Sequence, residues 1–367
     1  MSNRLTVNFK NKPCYDIVFE ESFAPLAQEL RALGCETRKI CIVTDSNVAP
    51  LYLKEISELL MGVCPEVCAF QIPAGEEHKT LDEIRRLYAC LIEAHFHRQD
   101  LLLALGGGVI GDMTGFAAAT FLRGIDYVQV PTTLLAQTDS SIGGKTGVDF
   151  DGYKNMVGAF KMPLLVYENL SVLKTLDGRQ YASGFAEIMK HALIREEDFY
   201  LWLIDHIYEI NDRELPVIEE MLFRSCSIKK AIVEKDPTEK GDRALLNFGH
   251  TLGHAIEKYK DFKLLHGECV ALGCVAASFI SWKKDLISME EYYEIRDMFV
   301  PFGLPISTTE LENEQIIELT RSDKKMTSDG IRFVLLKKIG KGIIDETVTP
   351  EEMSAALDEI NFDRKEY

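Results

Sequence analysis

The chain contains no Cys-x-x-Cys pair, although nine cysteines are scattered between Cys14 and Cys274. That spacing removes the zinc ribbon and the redox dithiol from consideration. The apolar neighbours of most of these thiols suit packed, reduced side chains in a cytoplasmic protein. No apolar run approaches the ~20 residues of a membrane span; the longest, residues 269–280, suits a buried helix. Residues 1–10 alternate apolar and polar side chains and hold no hydrophobic signal segment, so no secretory leader is expected. Low-complexity linkers and internal repeats are missing too. Positive charge is scarce: 41 Lys and Arg face 58 Asp and Glu, for a formal charge of -17. A nucleic-acid backbone needs a basic face, so that class of partner is excluded. The same deficit makes any local gathering of Lys, Arg and His informative, because it forms against the global balance.

What is present reads as two domains. At 367 residues, 46% of them apolar, the chain is too long for one ordinary core. Residues 39–43, 67–72, 100–105 and 127–130 are short apolar runs typical of buried strands. Helical spacing up to residue 60, over 81–95, and in the Ala-rich stretch after 108 separates them. This alternation predicts an α/β, Rossmann-like nucleotide-binding domain over 1–176, built on a mostly parallel sheet. From 177 to 367 the pattern favours helix, at 184–206, 217–234, 247–259, 268–283, 289–299 and 350–360, with a strand at 331–336. The cleft between the two domains is the expected site.

Three signals point to chemistry. Gly106-Gly107-Gly108-Val109-Ile110-Gly111 follows an apolar strand and opens a helix, where glycines let backbone N–H groups approach a pyrophosphate. A glycine-rich turn also serves a tight bend alone. The motif departs from the simplest dinucleotide fold, because it is not at the first strand-helix turn and Asp112 follows it at once. The second signal is a metal-ligand set: Glu187, Lys190 and His191 on one helix face, His250 and His254 one turn apart, and His266 at the next helix start. One carboxylate with two or three imidazoles describes a catalytic zinc site with an open position. Spacing alone does not choose between His250 with His254 and His250 with His266. The third signal is basic: Lys145, Lys154 with Asn155, Lys229, Arg243, Asn247 and the pair Lys324-Lys325 offer a cradle for phosphate and carboxylate. Arg243 and Asn247, four residues apart, are expected on one helical face.

Together these stretches resemble the 3-dehydroquinate synthase family. The motifs are GGGVIGDMTGFAAATFLRG at 106–124, VPTTLLAQTDSSIGGKTGV at 130–148, KNMVGAF at 154–160, GFAEIMKHALI at 184–194, DPTEKGDRALLNFGHTLGHAIE at 236–257, LLHGE at 264–268 and SDKK at 322–325. The resemblance implies a phosphorus-oxygen lyase of the shikimate pathway. Such an enzyme converts 3-deoxy-D-arabino-heptulosonate 7-phosphate to 3-dehydroquinate and phosphate, through transient oxidation by NAD, phosphate elimination, reduction, ring opening and aldol closure. It implies that Glu187, His250 and His266 bind Zn2+ or Co2+, with His254 on the substrate phosphate. NAD would be held by Asp45, Glu76, Lys79, Gly107, Gly108, Val109, Asp112, Thr132, Thr133, Asp139, Lys145 and Lys154. Substrate would meet Lys145, Asn155, Lys190, Lys229, Arg243, Asn247, Lys324 and Lys325. Arg123 would reach the phosphate of a neighbouring subunit, which implies a homodimer.

The chain departs from the family pattern at Thr138, at Gly147-Val148-Asp149 and at Asp236-Pro237. None of these is an implied ligand, and Asp149 adds a negative charge near an anion site. The competing readings are a related cyclase acting on sedoheptulose 7-phosphate or glucose 6-phosphate, a metal-dependent polyol dehydrogenase, and a non-catalytic zinc- or nucleotide-binding protein.

Overall fold

The computed structural model describes residues 4–237, 241–322 and 332–362. The chain divides into two compact units, Met1–Leu176 with Ile218–Lys230, and Asp177–Val217 with Ala231–Tyr367.

The first unit holds β1 (Arg4–Phe9), β2 (Lys12–Glu20), α1 (Leu26–Ala32), β3 (Ile40–Asp45), α2 (Lys54–Met61), β4 (Val67–Ile72), α3 (Leu81–Glu93), β5 (Leu101–Gly106), α4 (Gly108–Thr120), β6 (Asp126–Pro131), β7 (Lys145–Phe150), β8 (Tyr153–Phe160) and β9 (Leu165–Asn169). Seven strands form one sheet in the order β1-β2-β9-β6-β5-β3-β4. All neighbours are parallel except the β1/β2 hairpin. That hairpin turns through Lys10 and Asn11, both at positive φ, the geometry of a two-residue type I′ turn. Alternation along the central strands feeds two cores. Leu101, Leu103 and Leu105 pack with α1 and α2, whereas Leu102 and Ala104 pack with α3 and α4. Every residue of β5 is buried, as a strand covered on both faces requires. β7 and β8 form a separate antiparallel hairpin.

The second unit contains α5 (Gly178–Arg195), α6 (Glu197–Asp205), α7 (Ile207–Asn211), part of α8 (Leu215–Lys235), α9 (His250–Tyr259), α10 (His266–Lys283), α11 (Met289–Asp297), α12 (Asn313–Ser322), the hairpin β10 (Phe333–Lys338) and β11 (Lys341–Asp345), and α13 (Pro350–Ile360). α10 is buried on nearly all sides, which its uniformly apolar sequence demands.

Four expectations change. Residues 218–230 cluster with the first unit, not with the helical one. The Ser225 hydroxyl lies 2.5 Å from that of Thr138, Cys226 Sγ donates to the Gln137 carbonyl at 3.4 Å, and the rings of Phe19 and Phe223 are 6.0 Å apart. The helix expected over 184–206 is two, because Glu196 is extended at φ -145°. The helix expected from residue 247 begins at His250, because Gly249 is left-handed at φ 77° and residues Asp242–Asn247 form a 3-10 turn. Three residues per turn then put Arg243 and Asn247 about 120° apart, on different faces.

Candidate active site

In the first unit, the Gly-rich turn joins β5 to the N-terminus of α4, where unpaired N–H groups and the helix dipole face outward. A Cβ at Gly108 would stand 2.8 Å from Ser140 Oγ, and one at Gly111 would stand 2.6 Å from Gln129 Oε1. Side chains are therefore excluded here by the close packing of α4 on β6 and on the segment carrying Ser140. Beside this turn Thr132 donates its N–H to the Gly106 carbonyl at 3.0 Å, while its buried Oγ1 has no hydrogen-bond partner. Thr133 Oγ1 accepts from Ala136 N.

Lys79, 4% exposed, organises the neighbouring groups. Its ammonium donates to Asp112 Oδ2 at 2.7 Å and to Asn155 Oδ1 at 2.6 Å, and lies 3.8 Å from Glu76. Lys154 reaches the same Glu76 carboxylate at 4.0 Å. Burial alone would lower the Lys79 pKa; Asp112 and Glu76 overcome it and hold the ammonium charged. Burial likewise raises Asp112 in spite of Lys79. Asp149 belongs to this network. Its N–H donates to the Lys79 carbonyl at 2.8 Å, and its Oδ1 accepts from Asn155 N at 2.7 Å. That second bond holds Asn155 in a left-handed conformation at φ 54°. The extra acidic charge thus positions the start of β8, which carries Lys154 and Asn155.

Asp45 ends β3 and caps its own turn, Oδ1 accepting from Asn47 N at 2.8 Å and Val48 N at 3.0 Å. Lys145 opens β7 and is exposed. Lys229, on α8, lies 2.6 Å from Asp139 Oδ1 and donates to the Asp139 carbonyl. Arg123 is exposed on a turn after α4, where Leu122 and Arg123 are both left-handed at φ 50° and 67°.

In the second unit, α5, α9 and α10 converge at close quarters. A Cβ on Gly267 would fall 1.9 Å from the Ser183 carbonyl oxygen of α5, and one on Gly273 would fall 1.8 Å from that of Gly249. Backbones that approach so closely bring three functional helix segments together. Glu187, 1% exposed, presents Oε1 to Nε2 of His250 and Nε2 of His266, each at 3.2 Å. His250 Nδ1 lies 3.0 Å from the Phe248 carbonyl. A carbonyl only accepts, so Nδ1 donates to it and Nε2 is the nitrogen turned to the carboxylate. One carboxylate oxygen with two imidazole nitrogens converging on it is a donor set that a divalent cation satisfies. His254 joins the group, with ring nitrogens of His250, His254 and His266 mutually within 4.8 Å. The donor set therefore fits a divalent metal of the zinc type.

The electrostatics separate the imidazoles. Burial lowers His254 to about 3, reinforced by His250 and His266, so its ring is neutral. Burial would also lower His266, yet Glu187 and Glu257 raise it to about 9. Glu187 itself resists the upward push of burial, because Lys190, His250 and His266 draw it well below its usual range. Lys190, 2% exposed, forms an ion pair with Glu187 Oε2 on the same helix.

Arg243, 3% exposed, donates from Nη1 to the Pro237 carbonyl at 2.8 Å, and its N–H reaches Asp236 Oδ2 at 3.2 Å. Asn247 ends the same 3-10 turn. Lys324 and Lys325 lie outside the described residues.

Sequence reasoning missed two residue sets. Glu257 Oε2 lies 3.8 Å from His266 Nδ1 and faces the side of the ring away from Glu187. The signal was available: Glu257 stands seven residues after His250 and three after His254, on one helical face. Arg179 grips Glu268 with both Nε and Nη2, at 2.6 and 2.7 Å, and Glu268 also caps α10 by accepting from Leu265 N. This pair ties the start of α5 to the start of α10, and nothing in their spacing of 89 residues announces it.

Residues 69–183 match the 3-dehydroquinate synthase N-terminal family and residues 184–326 its C-terminal family. A curated 3-dehydroquinate synthase from Acetivibrio thermocellus is 41% identical over 350 residues, covering 95% of this chain and 97% of the relative. Among solved structures, 2-epi-5-epi-valiolone synthase from Streptomyces hygroscopicus with NAD+ and Zn2+ bound superposes with a TM-score of 0.88 at 26% identity, covering 97% of this chain and 99% of that one. A 2-deoxy-scyllo-inosose synthase complexed with carbaglucose-6-phosphate, NAD+ and Co2+ gives 0.87 at 25% identity, with the same coverage. Matches that follow one another along the chain, joined to a relative of nearly equal length, establish that the chain belongs to the 3-dehydroquinate synthase family.

Proposed function

We propose that the chain converts 3-deoxy-D-arabino-heptulosonate 7-phosphate to 3-dehydroquinate and phosphate, using NAD and a divalent metal, zinc or cobalt. The observation that carries this reading is the Glu187 carboxylate oxygen shared by two imidazole nitrogens at 3.2 Å each. The metal ligands are Glu187, His250 and His266. When bound, the metal polarises a substrate hydroxyl and lowers its pKa, and NAD supplies a reversible hydride acceptor. Neutral His254 offers a hydrogen bond to the departing phosphate without adding charge. Lys190 sets the charge on Glu187 and, with Arg243, neutralises the substrate's anionic groups, to which the Asn247 amide offers hydrogen bonds. In the first unit, the α4 N-terminus and Thr132 receive the NAD pyrophosphate and its neighbours. Lys79, Asp112 and Glu76 fix the loop around them, and Asp45 meets the adenosine ribose. Lys145, Asn155 and Lys229 complete the anion ligands of that unit.

The exposed, left-handed Arg123 supports a homodimer in which this guanidinium reaches the partner's phosphate. The nine cysteines, all among the described residues, form no disulfide, which supports a cytoplasmic setting. Among the described residues no helix is long and apolar enough to cross a membrane.

The test is phosphate release from the heptulosonate phosphate with NAD, with and without a chelator. Chelator-sensitive release without net NADH is expected. Release only from sedoheptulose 7-phosphate or glucose 6-phosphate would reassign the substrate, and accumulation of NADH without phosphate would reassign the chain to a dehydrogenase.

A further inference from the structure

His266 opens α10, in the turn whose backbone N–H groups have no partner within the helix. Terminal turns of this kind fray unless something outside the helix holds them. This one must hold an imidazole 3.2 Å from Glu187. Three contacts fix it. Glu268 Oε2 accepts from Leu265 N at 2.7 Å and closes the turn around His266. Gly267 N donates to Ser183 Oγ of α5 at 3.0 Å. Arg179, in the first turn of α5, takes both oxygens of Glu268, with Nε at 2.6 Å from Oε1 and Nη2 at 2.7 Å from Oε2. The same Nη2 reaches the Lys263 carbonyl at 3.2 Å, in the segment that joins α9 to α10.

The pair is unevenly covered, Arg179 being 53% exposed and Glu268 13%. A simple ion pair so open to water would add little stability. A planar fork on both carboxylate oxygens adds direction instead, because two parallel hydrogen bonds fix the orientation of each partner. The fork is itself anchored, since Arg179 N donates to Asp177 Oδ1, the cap of α5, at 2.9 Å. Arg179 and Glu187 lie eight residues apart on that helix, about 12 Å along its axis. One rigid element therefore carries the carboxylate of the donor set and, further back, the grip on the turn that bears His266.

We propose that Arg179 is a positioning residue for the metal, acting through Glu268 to set the start of α10 and with it the reach of His266 Nε2. This rests on the reading of His266 as a metal ligand. Glu257 faces the ring from behind, whereas Arg179 governs the backbone from which the ring hangs. A lysine at 179 would keep the charge and lose the fork, because an ammonium offers no planar pair of donors.

The test uses the full-length protein and two readouts, zinc affinity by chelator competition and the visible absorption of the Co2+-loaded form, which reports ligand geometry. Arg179→Ala should weaken zinc roughly tenfold, the lower end of the range for outer partners of a ligand, and shift the Co2+ band. Arg179→Lys should shift the band too, with a smaller loss of affinity. In a Glu268→Gln background, Arg179→Ala should cost less than in the parent, because the contact is already weakened. An equal cost in both backgrounds, or an unchanged affinity and spectrum in Arg179→Ala, would overturn the proposal. Should that variant fail to fold, an unaltered spectrum in Arg179→Lys would overturn it as well. Undiminished zinc affinity in His266→Ala would strike at the ligand reading beneath it, so the two failures are told apart.

Discussion

Glu257 shows how a side chain off the reacting centre shapes it. A carboxylate 3.8 Å from His266 Nδ1 fixes the ring so that Nε2 faces Glu187. Removing such an outer partner costs roughly 10–100-fold in metal affinity. Glu257→Gln should therefore weaken zinc binding by that factor in a chelator competition, while turnover at saturating metal stays close to that of the unmodified protein. Retention of full zinc affinity would remove Glu257 from the positioning role. Glu168, far from this chemistry in sequence, is a second informative residue. It is fully buried on β9 with neither carboxylate oxygen hydrogen-bonded, and burial raises its pKa well above the ordinary value. The folded state keeps a proton that the unfolded chain gives up above its ordinary carboxyl pKa, near 4.3. Stability contributed by this group is therefore complete below that pH and falls as pH rises toward the folded pKa. Glu168→Gln should lose this dependence, so that the variant gains on the parent as denaturant melts move from pH 5 to pH 8. A constant difference across that range would refute it. Both residues bear on what a sequence discloses. Glu187, His250, His254 and His266 were legible as a gathering of donor side chains because ligand chemistry restricts residue type and the glycines around them are dense. The spacing still left His254 and His266 as equals, since all three imidazoles in fact cluster. Asp149 and Thr138, unexplained as letters, acquire reasons only from partners at 2.7 and 2.5 Å.

At the scale of elements, long periodic segments were the readable part. β4 and α13 match their expected bounds, and α3 and α10 fall within two residues of theirs. The discrepancies arise where one backbone conformation outweighs periodicity, as at extended Glu196 and left-handed Gly249. Short hairpins such as β7/β8 carry too few residues to set a period. The contacts that assemble the site were the least legible, because a close helix crossing depends on a glycine meeting a distant backbone. Gly267 is such a point. Adding one methyl group there would drive it to 1.9 Å from the Ser183 carbonyl, which belongs to the backbone and cannot swing aside. Overpacking of this kind costs about 1–3 kcal/mol or more. Gly267→Ala should lower the denaturation midpoint accordingly and weaken zinc binding, because α10 must shift relative to α5 and carries His266 with it. Unchanged stability together with unchanged zinc affinity would show that the two helices have slack at this crossing.

At the scale of the whole chain, the change from β/α alternation to helices put the expected division near residue 176, where the long segment of the first unit ends. It did not disclose that residues 218–230 return to the first unit, because a helix carries no mark of which core receives it. That return supplies Ser225 to Thr138 and Lys229 to Asp139. A fragment ending at residue 176 should therefore lack cooperative unfolding, leaving Asp139 without its ammonium and Thr138 without its hydroxyl. A sharp two-state melt of that fragment, equal in midpoint to the first transition of the full chain, would contradict this. The discontinuity also has a temporal side. On the ribosome, the nucleotide-binding half is not a finished object when its last strand has been made. It must wait for about 50 further residues, roughly 3–10 s at ordinary elongation rates. During that interval the residues it awaits are still being translated, behind the first helices of the second unit. An early-synthesised half with an open flank is a natural client for a holdase, and the end of that dependence is set by the emergence of α8.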